Sequence, residues 1–200
     1  MSTSSPALVL ASRSPRRLQL LAQLGVAVTV SPADVDETVG PGETPRDYVE
    51  RIARQKVSVI EAPDNTRVLG ADTAVVLDDS ILGKPESPAS AQRILQRLSG
   101  RTHSVFTAVA LRSPGGMRVV CVETRVTMRT LSPAECACYL ASDEPWDKAG
   151  AYAIQGLGGA FVQRIDGSYS NVVGLPLCET LALLREAGIP TALDDVVGHA

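Results

Sequence analysis

Ala7-Leu-Val-Leu-Ala-Ser-Arg-Ser-Pro-Arg-Arg17 decides the architecture. Its first five residues are apolar without alternation, as in a strand buried on both faces. Ser14-Pro15 is then an N-cap followed by a first-turn proline, and the helix it opens runs from about Pro15 to Leu24 and stops at Gly25. A buried strand feeding a helix through a short polar loop is the opening unit of an α/β fold. Such a junction suits an anion, because the first helical turn presents free N–H groups at the carboxyl end of a strand. Ser12, Arg13, Arg16 and Arg17 add hydroxyl and guanidinium donors that grip oxygens in pairs. The alternative is a capped helix with solvated arginines.

The same Ser/Thr-Pro start recurs at Thr44-Pro45, Ser87-Pro88 and Ser132-Pro133, the last with Glu135 placed for a capping box. The second helix keeps Val49, Ile52, Ala53, Val57 and Ile60 on one face, the third ends at Gly100, and a fifth covers about Leu177 to Glu186. Between them Val68–Leu77 reads as a buried strand, Asp78-Asp79-Ser80 as a turn, and the stretch through Leu82 as a short return strand. His103–Arg112 and Met117–Arg129 flank a Ser-Pro-Gly-Gly turn, a hairpin signal, and Tyr152–Gln155 with Phe161–Ile165 reads as a final strand pair. The expectation is one α/β domain over residues 1–200 around a mixed sheet, with a core of about 7–188 and loose ends at roughly 1–6 and 190–200.

Composition narrows the class. The 200 residues are 44% hydrophobic and 20% charged, enough apolar mass for a core. The longest apolar run is Cys136 to Ala141, too short to cross a membrane, and Met-Ser-Thr-Ser-Ser lacks the layout of a secretory signal. A net charge of −3 argues against nucleic acid as a partner. The chain therefore reads as soluble and cytoplasmic. Four cysteines without a C-x-x-C pair and two histidines make a zinc site improbable. Of 19 basic residues only Lys56, Lys84 and Lys148 are lysines, so these mark places where a compact point charge is required, unless they fall there by chance.

Several residues carry candidate chemistry. Lys56 lies beside the apolar stripe of the second helix, so it either snorkels to the rim or points into a polar cleft. Asp72, inside Leu69-Gly-Ala-Asp-Thr-Ala-Val-Val76, sits among residues that want burial. A carboxylate there needs a cation, a metal or hydrogen-bond donors, whether it marks a site or caps backbone groups. Asp36-Glu37 offers a second acidic pair, and Glu37 with Asp72 forms a candidate Mg²⁺ set, since that ion prefers one or two carboxylates plus phosphate oxygens. Gly83-Lys84-Pro85 is not a Walker loop, and Gly156-Leu-Gly-Gly159 is too short for a dinucleotide fingerprint. Gln155 either reads a base edge, since it donates and accepts at once, or is a surface amide at a strand end.

Together these stretches resemble the Maf family of nucleoside triphosphate pyrophosphatases. The matching blocks are Leu10-Ala-Ser-Arg-Ser-Pro-Arg-Arg17, Asp36-Glu37, the helix carrying Lys56, Gly70-Ala-Asp-Thr73, Gly83-Lys-Pro85, Asp147-Lys-Ala-Gly-Ala-Tyr152 with Gln155, and Asn171-Val-Val-Gly-Leu-Pro176, in family order over about 7–188. Val57 stands where an alanine is frequent. The resemblance implies an elongated mixed sheet flanked by helices, with two lobes about a central cleft as in inosine triphosphatases. It implies cleavage of a triphosphate to monophosphate and pyrophosphate with Mg²⁺ or Mn²⁺ held by Glu37 and Asp72. Asp72 would be the proton acceptor, with Glu37, Lys56 and Lys84 completing the catalytic set. Ser12, Arg16, Arg17, Thr73 and Gln155 would bind substrate, and Arg16, Thr73 and Gln155 would set a preference for dTTP and UTP. The role of Lys148 (phosphate contact or pairing with Glu144 or Asp147) stays open, as does homodimer formation. The competing reading is a nucleotide-binding regulator of septum formation with little turnover.

Overall fold

The computed structural model describes residues 8–194. Its frame is one seven-stranded mixed sheet in the order β2-β1-β3-β5-β6-β7, with β4 paired to β3 off that path. The strands are β1 (Leu8–Leu10), β2 (Thr29–Val30), β3 (Arg67–Leu77), β4 (Ser80–Leu82), β5 (Thr102–Ser113), β6 (Gly116–Met128) and β7 (Val162–Asp166). β1 runs parallel to β2 and β3, and the remaining pairs are antiparallel. The helices are α1 (Pro15–Gln23), α2 (Pro45–Ser58), α3 (Pro88–Leu98), α4 (Pro133–Leu140), α5 (Tyr169–Val173) and α6 (Leu177–Glu186). None of the described helices is long and apolar enough to cross a membrane.

Alternation along β3 sorts the core. Val68, Ala74 and Val76 face α2, where Val49, Ile52, Ala53 and Val57 are fully buried. On the opposite face Leu69 and Ala71 pack with α1 and α6, while Val75 and Leu77 pack with α3, α4 and Phe161. That face thus carries two apolar cores, one per lobe. Thr73 falls at the seam between them, cross-strand from Thr107, and the two hydroxyls lie 2.9 Å apart.

The sheet is also interrupted at one edge. β1 ends at Leu10, opposite Leu69, and β4 ends at Leu82, opposite Val75. Among the described residues no strand covers that side of β3 over 70–74, and Asp72 and Thr73 line the cleft that the gap opens. The gap lies beyond the carboxyl end of β1, where open α/β sheets place their ligands.

Some elements differ from the sequence reading. Tyr152–Gln155 is no strand: its backbone turns, with Gly156 N–H donating to Ala153 O, and the Ala153 N–H goes to the Tyr139 hydroxyl rather than to a ladder. β2 and α5 carry too few residues to leave a periodic signal. Residues 190–194 are tied down, since Ala192 N–H donates to Leu24 O and Arg185 pairs with Asp194 at 2.7 Å. The expectation of loose ends at 1–6 and 195–200 lies outside the described residues.

Candidate active site

Lys56 lies where an ordinary lysine would be expensive. It is 8% exposed in the last turn of α2, and its ammonium lies 2.7 Å from Asp72 Oδ1 and 2.7 Å from Glu37 Oε1. Of the two readings of this residue, the side chain takes the polar cleft. The close approach of α2 to β3 has a local cause in Gly70. A Cβ there would lie 2.9 Å from Val57 Cγ1 and 3.3 Å from Ala53 O and Lys56 Cβ, so only glycine lets the helix sit low enough.

Glu37 arrives from the loop before α2, and α2 lashes that loop down. The Tyr48 hydroxyl donates to Glu37 O at 3.0 Å, and Arg51 holds Thr38 O and both oxygens of Glu43. Arg51 thereby pulls the Glu43 carboxyl down to about 2. Asp36, the other half of the acidic pair, accepts the Thr38 N–H and caps its own turn.

The two carboxylates differ electrically. Burial raises the pKa of Asp72, which is 6% exposed, against the opposing charges of Lys56 and Arg17. For Glu37 partial burial also pushes upward, but the Lys56 hydrogen bond and the charges of Lys56, Lys84 and Arg17 prevail and hold it below the usual carboxylate range. A more basic carboxylate beside a firmly ionised one suits proton acceptance by the former.

Arg17 is buried and fixed by neutral acceptors. It donates to Gly174 O at 2.8 Å, Ser12 Oγ at 3.2 Å and Thr73 Oγ1 at 3.1 Å. Burial lowers its pKa, yet no carboxylate hydrogen-bonds it among the described residues, so its charge is free to face an anion. The uncapped start of α1 points the same way: Ser14 makes no side-chain cap, unlike Thr44, Ser87 and Ser132. Lys84 is exposed after β4 and has no ion pair among the described residues. Arg16 reaches Asp147 at 3.0 Å across the mouth, and Lys148 pairs with Asp147 and the Glu144 carbonyl.

All nine site residues expected from sequence (Ser12, Arg16, Arg17, Glu37, Lys56, Asp72, Thr73, Lys84 and Gln155) line a single cleft of about 600 Å³. The lining also includes the apolar side chains of Val75, Val105, Tyr152 and Ile154. Cationic and apolar side chains thus share one cleft, in a volume typical of small-ligand sites. Sequence reasoning assigned no role to the supports beneath, although Asn171 heads one of the quoted blocks. The Thr107 hydroxyl donates to Asn171 O, and the Asn171 amide donates to Val105 O and Thr124 Oγ1. Their pairing leaves no signal in the sequence, because only the fold makes them neighbours.

For a possible cation the donor set is all oxygen. Asp72 and Glu37 each give one oxygen to Lys56, and their other oxygens make no hydrogen bond among the described residues. Among the described residues no group of three His, Cys, Asp or Glu gathers to hold an ion there. Two carboxylates with a shell completed by phosphate and water fit Mg²⁺ or Mn²⁺ and do not fit a closed structural metal.

This is an α/β protein with a cation-lined cleft at a break in its sheet. The fold is shared with a HAM1 protein from Coxiella burnetii, with a TM-score of 0.50 and 18% identity over 91% of this chain and 100% of that one. The chain belongs to the Maf-like protein family, whose sequence model matches residues 7–187. It is 55% identical over 190 residues to the dTTP/UTP pyrophosphatase of Anaeromyxobacter dehalogenans strain 2CP-1, covering 93% of this chain and 96% of the relative. It is 54% identical over 191 residues to that of Myxococcus xanthus strain DK1622, covering 95% and 97%.

Proposed function

We propose that this protein hydrolyses dTTP and UTP to the monophosphate and pyrophosphate, acting on cytoplasmic nucleotide pools. The observation that carries the reading is the Asp72–Lys56–Glu37 bridge, lining a cleft together with Arg16, Arg17 and Lys84. The substrates follow from close relatives that bear that name over nearly their whole length. A regulator without turnover would have no use for a buried carboxylate of raised basicity in a ligand cleft, so the enzyme reading is favoured.

Water attacks phosphorus, the bond between the α-phosphorus and the bridging oxygen breaks, and pyrophosphate leaves. Asp72 accepts the proton of the attacking water, a contribution of roughly 10²–10⁴-fold for a positioned base. Lys56 holds both carboxylates in place and shields them from mutual repulsion. Arg17, Ser12 and the first turn of α1 hold phosphate oxygens, and Lys84 and Arg16 neutralise the charge that accumulates on the leaving group. Arg16, Thr73 and Gln155 set the choice of substrate. Glu37 and Asp72 would hold Mg²⁺ or Mn²⁺, which when bound supplies charge neutralisation and a more acidic water.

The test is a panel of nucleoside triphosphates with Mg²⁺ or Mn²⁺, assayed separately for pyrophosphate and for single phosphate. Pyrophosphate release from dTTP and UTP, abolished by EDTA and restored by the metal, is the expected result. Single-phosphate release, or none at all, refutes the reading.

A further inference from the structure

The Gly156-Leu-Gly-Gly159 stretch has an assignment of its own in the structure. Glu144, in the loop after α4, accepts the N–H of Leu157 at 2.7 Å and of Gly158 at 3.2 Å, and the Tyr139 hydroxyl donates to the same carboxylate at 3.2 Å. Tyr139 in turn accepts the Ala153 N–H at 3.0 Å. One carboxylate thus grips the chain after Gln155, and its phenol partner grips the chain before it.

The glycines make this fit possible. A Cβ on Gly156 would collide with the Glu144 carboxylate, one on Gly158 would lie 2.8 Å from the Tyr139 hydroxyl, and one on Gly159 would lie 2.6 Å from Ile154 O. The Leu157 N–H holds the Glu144 carboxyl below its ordinary range, so the clamp is ionised at neutral pH. Gln155 itself is exposed, lines the cleft, and makes no side-chain hydrogen bond among the described residues. It is a free amide on a segment that Glu144 holds still. The same loop reaches Arg16 on the cleft wall, because Lys148 donates to the Glu144 carbonyl and Asp147 takes Arg16.

We propose that Glu144 is a positioning residue for base selection, fixing residues 153–158 as a rigid wall that sets the depth of the cleft and presents Gln155 to a pyrimidine. The proposal rests on the reading of this cleft as a nucleoside triphosphate site. A fixed wall selects by ring size, and loosening it admits the larger purine.

The experiment measures kcat and KM for UTP, dTTP, ATP and GTP in wild type, Glu144→Ala, Glu144→Gln and Tyr139→Phe, together with hydrogen exchange at the Leu157 and Gly158 amides. In Glu144→Ala the expected result is faster exchange at those amides, KM for UTP and dTTP raised about tenfold with kcat within about threefold, and a pyrimidine-to-purine ratio of kcat/KM lowered by about tenfold or more. Glu144→Gln keeps an oxygen acceptor and should recover most of the selectivity. Tyr139→Phe, which keeps the ring, should shift the ratio in the same direction and serves as the test if Glu144→Ala does not fold. Accelerated exchange with unchanged selectivity overturns the proposal, as does an equal fall in kcat for every substrate. A wild type that releases no pyrophosphate from any triphosphate overturns the functional reading first, and this inference with it.

Discussion

Asp72 carries a conflict between stability and chemistry. Burial raises its pKa in the folded chain above the unfolded value, so its ionised form is penalised by folding and costs stability at neutral pH. Replacing it with Asn removes that cost while Lys56 keeps Glu37 as partner. Asp72→Asn is expected to lose roughly 10²–10⁴-fold in turnover with a melting temperature no lower than wild type, checked by pyrophosphate release and thermal denaturation. His103 gives the opposite sign. It is 2% exposed, with Nε2 2.9 Å from the Tyr152 hydroxyl and Nδ1 buried without a partner among the described residues, and burial lowers its pKa from 6.5 to about 4. Its folded form binds fewer protons, so the stability it contributes is complete above pH 6.5 and is lost as pH falls toward 4. Between pH 7 and 4.5 the wild type should lose about 2 kcal/mol more than His103→Gln in urea denaturation. Asp72 and Lys56 were legible in the sequence because a charge among apolar neighbours demands an explanation. His103, equally buried, was not, since its partner Tyr152 lies in a stretch that reads as a strand and folds as a turn.

At the level of elements, the contact of α2 with β3 sets the geometry of the bridge. Gly70→Ala places a methyl against Val57 and the α2 backbone, costing about 1–3 kcal/mol as overpacking. The helix must rise, and Lys56 and the Glu37 loop rise with it. A displacement approaching 1 Å should lower kcat by up to about 10²-fold, more than the loss of stability alone would suggest. Steady-state kinetics alongside urea denaturation separate the two effects, and a variant with full activity would show that the close approach is unnecessary. Proline-led starts made the four helices readable, since caps are local. The two-residue β2 and the break between β1 and β4 were not readable, because both depend on pairing between distant segments.

Across the whole molecule, two apolar cores share one face of the sheet and meet at the polar seam of Thr73, Thr107 and Asn171. A ligand in the cleft touches both lobes, so binding should stabilise the protein as one unit. A dTTP analogue with a methylene in place of the α,β-bridging oxygen, at about a hundred times its Kd, should add about 2.7 kcal/mol of stability. The gain should shrink as ionic strength rises, since the contacts are largely ionic. Thermal shifts measured with and without 0.5 M salt (roughly a 4 Å screening length) test both parts.

The pairing pattern of the sheet also implies an order of assembly. β5 and β6 meet through neighbours such as Ser113 and Gly116, whereas β1 finds β3 only when Leu8 meets Arg67. Closing a short loop sacrifices less chain entropy than closing a long one, so the hairpin zips early and β1 docks late. Ser12 and Arg17 join Thr73 only at that last docking, and a nascent chain therefore holds no phosphate cradle until the rest of the sheet is in place.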